Sequence, residues 1–304
     1  MKIITNLNTK IKDETVICLG SFDGLHLGHQ ALIKNALLEA NNRNIKSAVF
    51  TFSNHPASII TNKDEPNLLV DNKQKTTMLR DFGLDYLLMV EFNENIMKIK
   101  PEDFVKKILV DNMNVRKVIV GFNYRFGHKG KGNTEVLNEL GDKYGFEVEI
   151  LSPVMKYNQV ISSTLIRSLI SKGEIKDANK LLGFSYTIKG QVVDGKKRGK
   201  SMGFPTANLK LKNNYVIPRL GVYKTKTIVG SNEYLSVTSV GKNPTFKNDN
   251  KISIETYLIN FDKNIYNENI TVKFVNFIRE EIKFENKDEL IQQMKKDINY
   301  VLNK

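Results

Sequence analysis

The hydrophobic and polar positions divide the chain into two halves with different patterns. In the first half, short apolar runs alternate with segments of helical periodicity, and such runs are typical of strands buried in a parallel sheet. The predicted strands are residues 16–19, 46–52, 85–90, 115–120 and 146–151, and the predicted helices between them are residues 29–42, 72–83, 101–112 and 135–144. This alternation predicts a doubly wound, Rossmann-like α/β domain with a parallel sheet and right-handed crossovers.

The pattern changes after Gly183, which ends the second of two further predicted helices. The first of these starts at residues 162–164 within the segment 160–171, and the second is residues 175–182. From there, short strand-like runs are separated by turns rich in glycine, asparagine and proline, which favours an antiparallel barrel. These runs are residues 186–193, 221–229, 234–240, 253–260 and 270–278, and a final amphipathic helix follows at residues 287–303. We therefore predict an α/β domain in residues 1–183 and an all-β domain in residues 184–304.

The charge of the chain narrows the choice of partners. Lys plus Arg number 46 and Asp plus Glu number 33, which gives a formal net charge of +13. Such an excess admits a nucleic-acid-binding regulator with the barrel as its binding module. However, the basic residues are dispersed among acidic ones, as on an ordinary solvated surface. We expect small-molecule polyphosphate ligands and no nucleic acid.

Targeting signals and cysteine content favour a cytoplasmic protein. No apolar run approaches the roughly 18 residues of a membrane-spanning helix, and the N-terminus lacks the apolar stretch of a signal peptide. Cys18 is the single cysteine, and its place within an apolar run predicts a buried thiol. We expect no membrane partner, and a monomer or a weak homo-oligomer.

The string Gly20 to Gln30, GSFDGLHLGHQ, joins the first predicted strand to the first helix. Free backbone N–H groups and the positive end of the dipole at a helix N-terminus favour bound phosphate. His26 and His29 could donate to a phosphoryl oxygen that gains negative charge during transfer. Gly28 and the other glycines allow tight turns and a close approach of the ligand. The alternative is a pair of surface histidines beside an ordinary turn.

Three other segments of the first half carry candidate residues. His55 follows the second strand at the edge where ligands of open α/β sheets bind, although it could be a plain loop residue. The segment Gly121 to Asn133 combines glycine, aromatic and cationic residues after the fourth strand. Ser163 and Thr164 at a predicted helix start, with Arg167 one turn later, describe either a helix cap or a phosphate clamp.

Oxygen-bearing side chains of the second half suggest a metal and a base. Thr206 and Asn208 follow Pro205, and their oxygens suit a hard cation such as Mg²⁺ that retains water and substrate phosphate. The same residues could equally form an ordinary turn. Glu255 interrupts an apolar strand, so its carboxylate either faces solvent or projects into a pocket as a general base.

Taken together and in order, these motifs resemble those of the prokaryotic bifunctional riboflavin kinases/FAD synthetases. In the first half they are GSFDGLHLGHQ, the F-x-x-H-P element at residues 52–56, PEDFV, GFNYRFGHKGKGN and ISSTLIR. In the second half they are GFPTANL, the P-x-x-G-V-Y element at residues 218–223, GKNPTF, ETYLINFD and IREEIKF. The resemblance covers nearly the whole chain.

The resemblance implies an α/β nucleotidylyltransferase domain followed by a six-stranded barrel kinase domain with a C-terminal helix. The barrel would transfer the γ-phosphate of ATP to riboflavin and give FMN. The α/β domain would then adenylylate FMN with a second ATP and give FAD and pyrophosphate. Mg²⁺ would be the metal, ATP the co-substrate, and riboflavin, FMN and FAD the substrates and products.

The resemblance also implies which residues form the two sites. Glu255 would be the base of the kinase, while His26 and His29 would stabilise charge in adenylyl transfer. In that second reaction, ATP would contact Gly20, Ser21, Phe22, His26, Gly28, His29, Ser163, Thr164 and Arg167, and FMN would contact Asp23, His55, Asn123 and Arg125. In the kinase, ATP and its phosphates would contact Gly195, Lys200, Gly203, Pro205, Thr206 and Asn208. The metal would be held by Thr206 and Asn208. The flavin would be held by Arg279 and Glu280.

The chain departs from the family pattern at three places. Asn54 replaces the first proline of F-x-P-H-P, Asn123 with Tyr124 replaces Asp-Phe, and Asn267 replaces the glycine of L-Y-G. The last change predicts the loss of a tight glycine turn. A chain with one working half and one degenerate half is a further alternative, against which the intact H-x-G-H and S-S-T-x-x-R motifs speak.

Overall fold

The structure is a computed structural model, and it describes residues 1–61, 66–195, 203–242 and 252–303. The chain forms two compact units, Met1–Ser162 and Ser163–Lys304. Among the described residues, no helix is both long and apolar enough to cross a membrane.

A parallel sheet of six strands forms the centre of the first unit. The strands are β1 (Lys2–Ile4), β2 (Thr15–Leu19), β3 (Lys46–Phe52), β4 (Tyr86–Val90), β5 (Val115–Gly121) and β6 (Glu147–Leu151), in the spatial order β1-β4-β3-β2-β5-β6. All neighbouring pairs are parallel, which confirms the predicted sheet. The chain order reverses between β2 and β5, so the ligand crevice of such a fold lies at the carboxyl ends of these strands.

The helices that connect these strands are α1 (Leu27–Arg43), α2 (Pro56–Thr61), α3 (Asn72–Asp81), α4 (Glu94–Met97), α5 (Pro101–Asp103) and α6 (Thr134–Tyr144). Helix α5 continues as a π-helix (Phe104–Val110). A hairpin of β7 (Met155–Lys156) and β8 (Gln159–Val160) follows the sheet. Alternate residues of β2 face two separate cores. Val16 and Cys18 pack with α1, while Ile17 and Leu19 pack with the π-helix. Cys18 is fully buried, as predicted, and burial raises the pKa of its thiol.

The second unit contains a closed barrel of six antiparallel strands. They are β9 (Thr187–Val193), β10 (Thr206–Leu211), β11 (Gly221–Val229), β12 (Asn232–Lys242), β13 (Ile252–Leu258) and β14 (Asn269–Arg279), in the order β10-β13-β12-β11-β14-β9, and α9 (Lys287–Asn303) ends the chain. The barrel and its final helix confirm the predicted fold. β10 is not among the strands predicted from the pattern. Its alternation buries Ala207 and Leu209 and leaves Thr206 and Asn208 partly exposed on the other face.

Five buried hydroxyls form a closed ring inside the barrel. Side-chain oxygens contact one another in the order Thr225, Ser236, Thr227, Thr256, Thr238 and back to Thr225, at distances between 2.7 and 3.3 Å. Because each hydroxyl can donate one hydrogen bond and accept another, the ring satisfies all five groups without water. It links β11, β12 and β13 from the inside, where an unpaired hydroxyl would be costly.

Helices α7 (Ser163–Lys172) and α8 (Ile175–Leu182) belong to the second unit. The side-chain amide of Asn179 in α8 donates to the carbonyl of Phe274 at 2.9 Å and accepts the backbone N–H of Tyr186 at 2.7 Å. The compact units thus divide the chain roughly twenty residues before Gly183. The boundary at Gly183 concerns the two activities, and it stays a prediction.

Candidate active sites

The first candidate site is the turn between β2 and α1, Gly20 to His29. Phe22, Gly24 and Leu25 have positive φ angles of 46°, 79° and 43°, so the main chain reverses sharply before the helix. A Cβ at Gly24 would lie 2.7 Å from Leu69 Cδ1, so both the conformation and the surroundings require glycine there. The turn brings the N-terminus of α1 to the carboxyl end of β2, where the order of the sheet reverses.

The two histidines of this turn stack on each other. His26 is the N-cap of α1, and its Nδ1 accepts the backbone N–H of His29 at 3.4 Å. A neutral imidazole that accepts at Nδ1 carries its proton on Nε2, which leaves Nε2–H as a donor. The ring centroids are 3.7 Å apart. A Cβ at Gly28 would lie 3.2 Å from the His26 ring, so glycine permits this close arrangement.

Both imidazoles are neutral at physiological pH. Burial lowers the pKa of His26 to about 4, although nearby Asp23 opposes the shift. Burial, reinforced by His26 and Lys75, holds the pKa of His29 well below its ordinary value of 6.5. His29 Nδ1 is buried and finds no hydrogen-bond partner within the described parts of the chain. The histidines can therefore stabilise phosphate charge as neutral donors rather than as cations.

The carbonyl of Ser21 is held from two sides. Thr51 Oγ1 donates to it at 2.8 Å, and Lys75 Nζ, from helix α3, donates to it at 3.3 Å. Both contacts fix the main chain just before the left-handed Phe22. Ser21 itself is exposed, whereas Phe22 and Asp23 are buried. The predicted contacts Gly20, Ser21, Phe22 and Asp23 thus lie together in this turn.

The other predicted flavin contacts of the first unit follow β3 and β5. His55 Nδ1 accepts the backbone N–H of Ala57 at 3.2 Å at the start of α2. Asn123 and Arg125 are exposed just after β5. Because β2, β3 and β5 are parallel neighbours, these residues follow the same edge of the sheet as His26. Their contact with a flavin stays a prediction.

Two departures from the family pattern have structural explanations. The side-chain amide of Asn54 donates to the carbonyl of Phe92 at 2.9 Å and accepts its N–H at 2.7 Å, so it links the ends of β3 and β4. Asn267 adopts a left-handed φ of 67°, which asparagine tolerates better than most residues, and its N–H donates to the carbonyl of Val192 at 2.9 Å. The predicted loss of the tight turn is therefore wrong, since asparagine keeps it.

Ser163, Thr164 and Arg167 lie on α7, in the second unit. Ser163 is the first residue of the helix, Thr164 is exposed, and Arg167 is partly buried one turn later. This arrangement is compatible with both alternatives, a helix start and a phosphate clamp. Their role in adenylyl transfer stays a prediction.

The second candidate site lies on the outer face of the barrel, where β10 and β13 pair. Glu255 stands opposite Asn208 in β10 and opposite Ser239 in β12. Thr206 Oγ1 donates to Glu255 Oε2 at 3.3 Å. The carboxylate is partly buried and lines a cavity, so it does not simply face solvent. A hydroxyl, an amide and a carboxylate therefore share one face of the barrel wall.

Two cavities of about 270 Å³ each meet at Thr206. The first lies between the barrel and α9, and is lined by Thr206, Val222, Val237, Ser239, Glu255, Tyr257, Arg279, Glu281, Ile282, Phe284, Leu290, Met294, Asp297 and Ile298. The second lies beside the loop after β13, and is lined by Val192, Pro205, Thr206, Ala207, Leu258, Phe261, Asp262, Lys263, Asn264, Ile265 and Tyr266. Thr206 is thus the residue that these two described linings share.

Arg279 lines the first cavity and is held there by α9. Its Nε and Nη2 donate to the carboxylate of the buried Asp297 at 2.8 to 3.2 Å. Glu280 is exposed and pairs with Arg219, whereas its neighbour Glu281 lines the cavity. The structure thus brings Arg279, but not Glu280, to the described lining of this cavity. The flavin contacts of both residues stay predictions.

The predicted phosphate contacts of the barrel lie in different surroundings. A Cβ at Gly195 would lie 2.1 Å from Asn208 Nδ2, so the glycine packs directly against this amide. Gly203 has a positive φ of 83°, which favours glycine there as well. Pro205 lines the second cavity. Lys200 lies outside the described residues.

Sequence reasoning missed several residues that the structure brings to these sites: Lys75, Ser239, Tyr257, Glu281 and Asp297. Lys75 carried a signal, because it lies four positions before Leu79 and hence on the buried face of α3. Tyr257 carried one too, because it lies two positions after Glu255 and shares its face of the strand. Ser239 carried none, since its contact depends on the pairing of β12 with β13.

Comparisons with known proteins match both units. A family profile of FAD synthetases matches residues 8–165, and one of riboflavin kinases matches residues 182–304. A bifunctional riboflavin kinase/FMN adenylyltransferase of Listeria monocytogenes is 40% identical over 283 residues, which cover 93% of this chain and 90% of that protein. A protein of the same name from Bacillus subtilis is 36% identical over 301 residues, which cover 97% and 94%.

A solved structure of a protein from Streptococcus pneumoniae, named as a macrolide-efflux protein, shares the fold over the full length. Its TM-score is 0.91 at 31% identity, and the alignment covers 100% of this chain and 99% of that one. Macrolide efflux is said of the pneumococcal protein alone. The two family profiles, together with the relatives that match along nearly their whole length, show that this chain belongs to the family of bifunctional riboflavin kinase/FMN adenylyltransferases.

Proposed function

We propose that the two activities of the family are divided between residues 1–183, the α/β domain, and residues 184–304, the barrel domain. The barrel phosphorylates riboflavin with ATP and gives FMN, and the α/β unit adenylylates FMN with a second ATP and gives FAD and pyrophosphate. The observation that carries this proposal is the hydrogen-bonded pair of Thr206 and Glu255, in which Thr206 lines two cavities and Glu255 lines one of them. A kinase needs such an arrangement, because its two substrates must meet at one phosphorus atom.

In the barrel, riboflavin occupies the cavity beside α9, and ATP occupies the cavity beside the loop after β13. Glu255 takes the proton of the ribityl 5′-hydroxyl as its oxygen attacks the γ-phosphorus. The bond from the γ-phosphorus to the bridging oxygen breaks, and ADP leaves. Thr206 orients the carboxylate through its hydrogen bond to Oε2. Arg279 and Glu280 contact the flavin, and Gly195, Lys200, Gly203 and Pro205 contact ATP.

Thr206 and Asn208 fit a magnesium ion. Their hydroxyl and amide oxygens lie on one face of β10, beside the carboxylate of Glu255. Mg²⁺ takes such oxygen ligands together with substrate phosphates. When bound, the ion neutralises charge on the phosphates of ATP. The close packing of Gly195 against Asn208 fixes the position of the amide ligand.

In the α/β domain, residues 1–183, a phosphate oxygen of FMN attacks the α-phosphorus of ATP, and the bond to pyrophosphate breaks. His26 donates from Nε2–H to the phosphates, His29 acts beside it as a second neutral donor, and the free backbone N–H groups of α1 add their dipole. ATP approaches the main chain at Gly20, Ser21, Phe22 and Gly28. Its phosphates are contacted by Ser163, Thr164 and Arg167. FMN is faced by Asp23, His55, Asn123 and Arg125.

The remaining assignments follow from the same division of labour. The two activities divide near Gly183. The ligands are ATP and flavins, with no nucleic-acid or membrane partner. The protein acts in the cytoplasm as a monomer or a weak homo-oligomer.

A direct experiment incubates the purified protein with riboflavin, ATP and Mg²⁺ and separates the flavins by chromatography. We expect FMN to form first and FAD to follow, with one pyrophosphate released for each FAD. When FMN replaces riboflavin, FAD should form without any lag. A protein that forms FMN and never FAD, or that binds no flavin at all, would contradict the proposal.

A further inference from the structure

The adenylyl-transfer turn lacks a cation of its own. Between Gly20 and His29 the ionisable side chains are those of Asp23, His26 and His29. Because burial keeps both imidazoles neutral, the net charge of these side chains is not positive. A triphosphate that gathers further negative charge during transfer needs positive charge nearby. The dipole of α1 supplies part of it, and a fixed cation beside the turn would supply more.

Lys75 is such a cation. It lies on α3, the residue is only 6% exposed, and its Nζ donates to the carbonyl of Ser21 at 3.3 Å. The same carbonyl accepts from Thr51 Oγ1 at 2.8 Å, so β3 and α3 both hold the main chain of the turn. The first turn of α3 is itself fixed, because the buried Asp71 accepts the backbone N–H of Gln74 at 2.7 Å.

Lys117, the other buried lysine among the described residues, has a different setting. Its Nζ lies between the carboxylates of Glu39 and Glu149, at 2.7 and 2.6 Å, and these partners raise its pKa despite burial. It also lies near the beginning of β5, away from the carboxyl end of the strand. Its role is that of an ion pair within the fold. Lys75 donates to the main chain of the candidate site.

We propose that Lys75 is a positioning residue for adenylyl transfer, which holds the turn bearing His26 and His29 through the Ser21 carbonyl and adds a fixed positive charge beside it. This inference rests on the proposed role of His29. The positive charge has a second effect, because it contributes to the lowered pKa of His29 and so keeps this imidazole neutral. Lys75 therefore acts through the turn and through His29.

The test compares three variants in FAD formation from FMN and ATP. Lys75→Met removes both the charge and the donor, and it should lower kcat/KM about 10- to 100-fold, as expected for a lost charged hydrogen bond. Lys75→Gln keeps an N–H donor without the charge and should lose less. The control is Lys73→Met, an exposed lysine two positions earlier on the same helix, which should leave the rate unchanged.

The pH profile separates this role from a merely structural one. Without the positive neighbour the pKa of His29 rises, so the acid limb of kcat/KM should move to higher pH in both Lys75 variants and not in Lys73→Met. A rate loss without this shift would overturn the proposal. Should Lys75→Met fail to fold by circular dichroism, Lys75→Gln decides alone, because it retains the hydrogen bond that supports the turn.

His29→Ala, measured in parallel, distinguishes a failure of the Lys75 inference from a failure of the proposed adenylyl-transfer site. If His29→Ala loses FAD formation while both Lys75 variants match the wild type, the inference about Lys75 is wrong and the proposed site stands. If His29→Ala forms FAD at the wild-type rate, the proposed site itself is wrong, whatever the Lys75 variants do. Loss in His29→Ala together with a shifted acid limb in the Lys75 variants supports both.

Discussion

The two candidate sites are built in different ways. In the α/β unit, the contiguous turn from Gly20 to His29 brings backbone N–H groups and two stacked imidazoles to the end of one strand. In the barrel, Thr206 and Glu255 are 49 positions apart in sequence, and they meet because β10 and β13 pair side by side. The first site depends on backbone conformation, whereas the second depends on the register of a sheet.

Each site is therefore sensitive to a different kind of substitution. A main-chain turn fails when a glycine acquires a side chain, as the close contacts of Gly24 and Gly28 indicate. A site on a barrel wall keeps its geometry as long as the strands stay paired, and the inner ring of hydroxyls holds β13, the strand of Glu255, to β11 and β12. Its chemistry can therefore be removed one side chain at a time.

The largest expected effect is that of Glu255→Gln on FMN formation. The amide keeps the shape of the carboxylate and cannot take the proton, so kcat should fall by about 10²–10⁴ while KM for riboflavin changes little. FAD formation from supplied FMN should be unaffected. Steady-state kinetics of both half-reactions measure this. The matched control is Glu233→Gln, because Glu233 lies outside the linings of both cavities and pairs with Lys226 and Lys273. Normal FMN production by Glu255→Gln would exclude Glu255 as the base.

The corresponding change in the α/β unit is His29→Ala. Loss of one preorganised donor to a developing charge commonly costs about 10²–10³ in rate, so FAD formation should fall by that factor. FMN formation should continue, because it belongs to the barrel. Separate assays with riboflavin and with FMN as the starting flavin measure the two activities, and a variant that loses both equally would remove the distinction between the sites.

A smaller effect is expected from Gly195→Ala in the barrel. The new Cβ would lie 2.1 Å from Asn208 Nδ2, so the amide must move. Displacement of a ligand by about 1 Å can cost up to about 10²-fold, and we expect a 10- to 100-fold loss of FMN formation that higher Mg²⁺ partly restores. Magnesium titrations at fixed ATP measure it. If activity and magnesium dependence both matched the wild type, Asn208 would not be a ligand.

The stability of the two units should respond differently to acid. The pKa of His26 is about 4 in the folded protein against 6.5 ordinarily, so between these values the unfolded chain binds a proton that the folded chain does not. The free energy of unfolding should fall as pH drops from about 6.5 to 4, by up to ~3 kcal/mol from His26, and His29 acts in the same direction.

All four histidines of the chain lie in the first unit, so this loss should be confined to it. Urea unfolding at pH 7 and pH 5 measures it, with tyrosine fluorescence and hydrogen exchange to assign each transition to a unit. An equal loss of stability in the barrel over this range would show that groups other than His26 and His29 dominate.

The smallest effect on catalysis concerns the boundary between the units. A fragment that begins at Phe184 should still phosphorylate riboflavin, because both cavities lie after that residue. A fragment that begins at Ser163 should unfold at a higher temperature, because α8 buries Ile175, Leu181 and other apolar residues and because Asn179 bonds to Phe274. Equal melting temperatures would show that α7 and α8 add nothing to the barrel.

Much of the fold could be predicted from the sequence, because burial imposes a period on each element. The apolar runs of the first half predict five of the six parallel strands, and only β1, with three residues, is too short to show a period. β10 escapes prediction for another reason. The sequence TANLKL alternates polar and apolar residues as a strand does, but Thr206 and Asn208 are also typical of a turn that holds a ligand. The segment is too short for the pattern to decide between a strand and a turn.

The sites were predictable to the extent that they are contiguous. The turn around His26 and His29 lies in one motif, so its residues could be named together. The neutral state of both imidazoles could not be predicted, because it depends on burial in the folded protein. Asp297, which holds Arg279, is also a product of tertiary packing, since it comes from the last helix of the chain. Similarly, Asn267 shows that a turn can survive the replacement of its glycine.

If residues 1–183 and residues 184–304 carry separate and complementary sites, a mixing experiment tests this most directly. With riboflavin, ATP and Mg²⁺, Glu255→Gln should form almost no FMN, and His29→Ala should accumulate FMN without FAD. An equimolar mixture of the two variants should form FAD, because FMN released by the intact barrel of one can be adenylylated by the intact α/β unit of the other. Failure of the mixture to form FAD, although each variant retains its own half-reaction, would contradict the account of two independent sites.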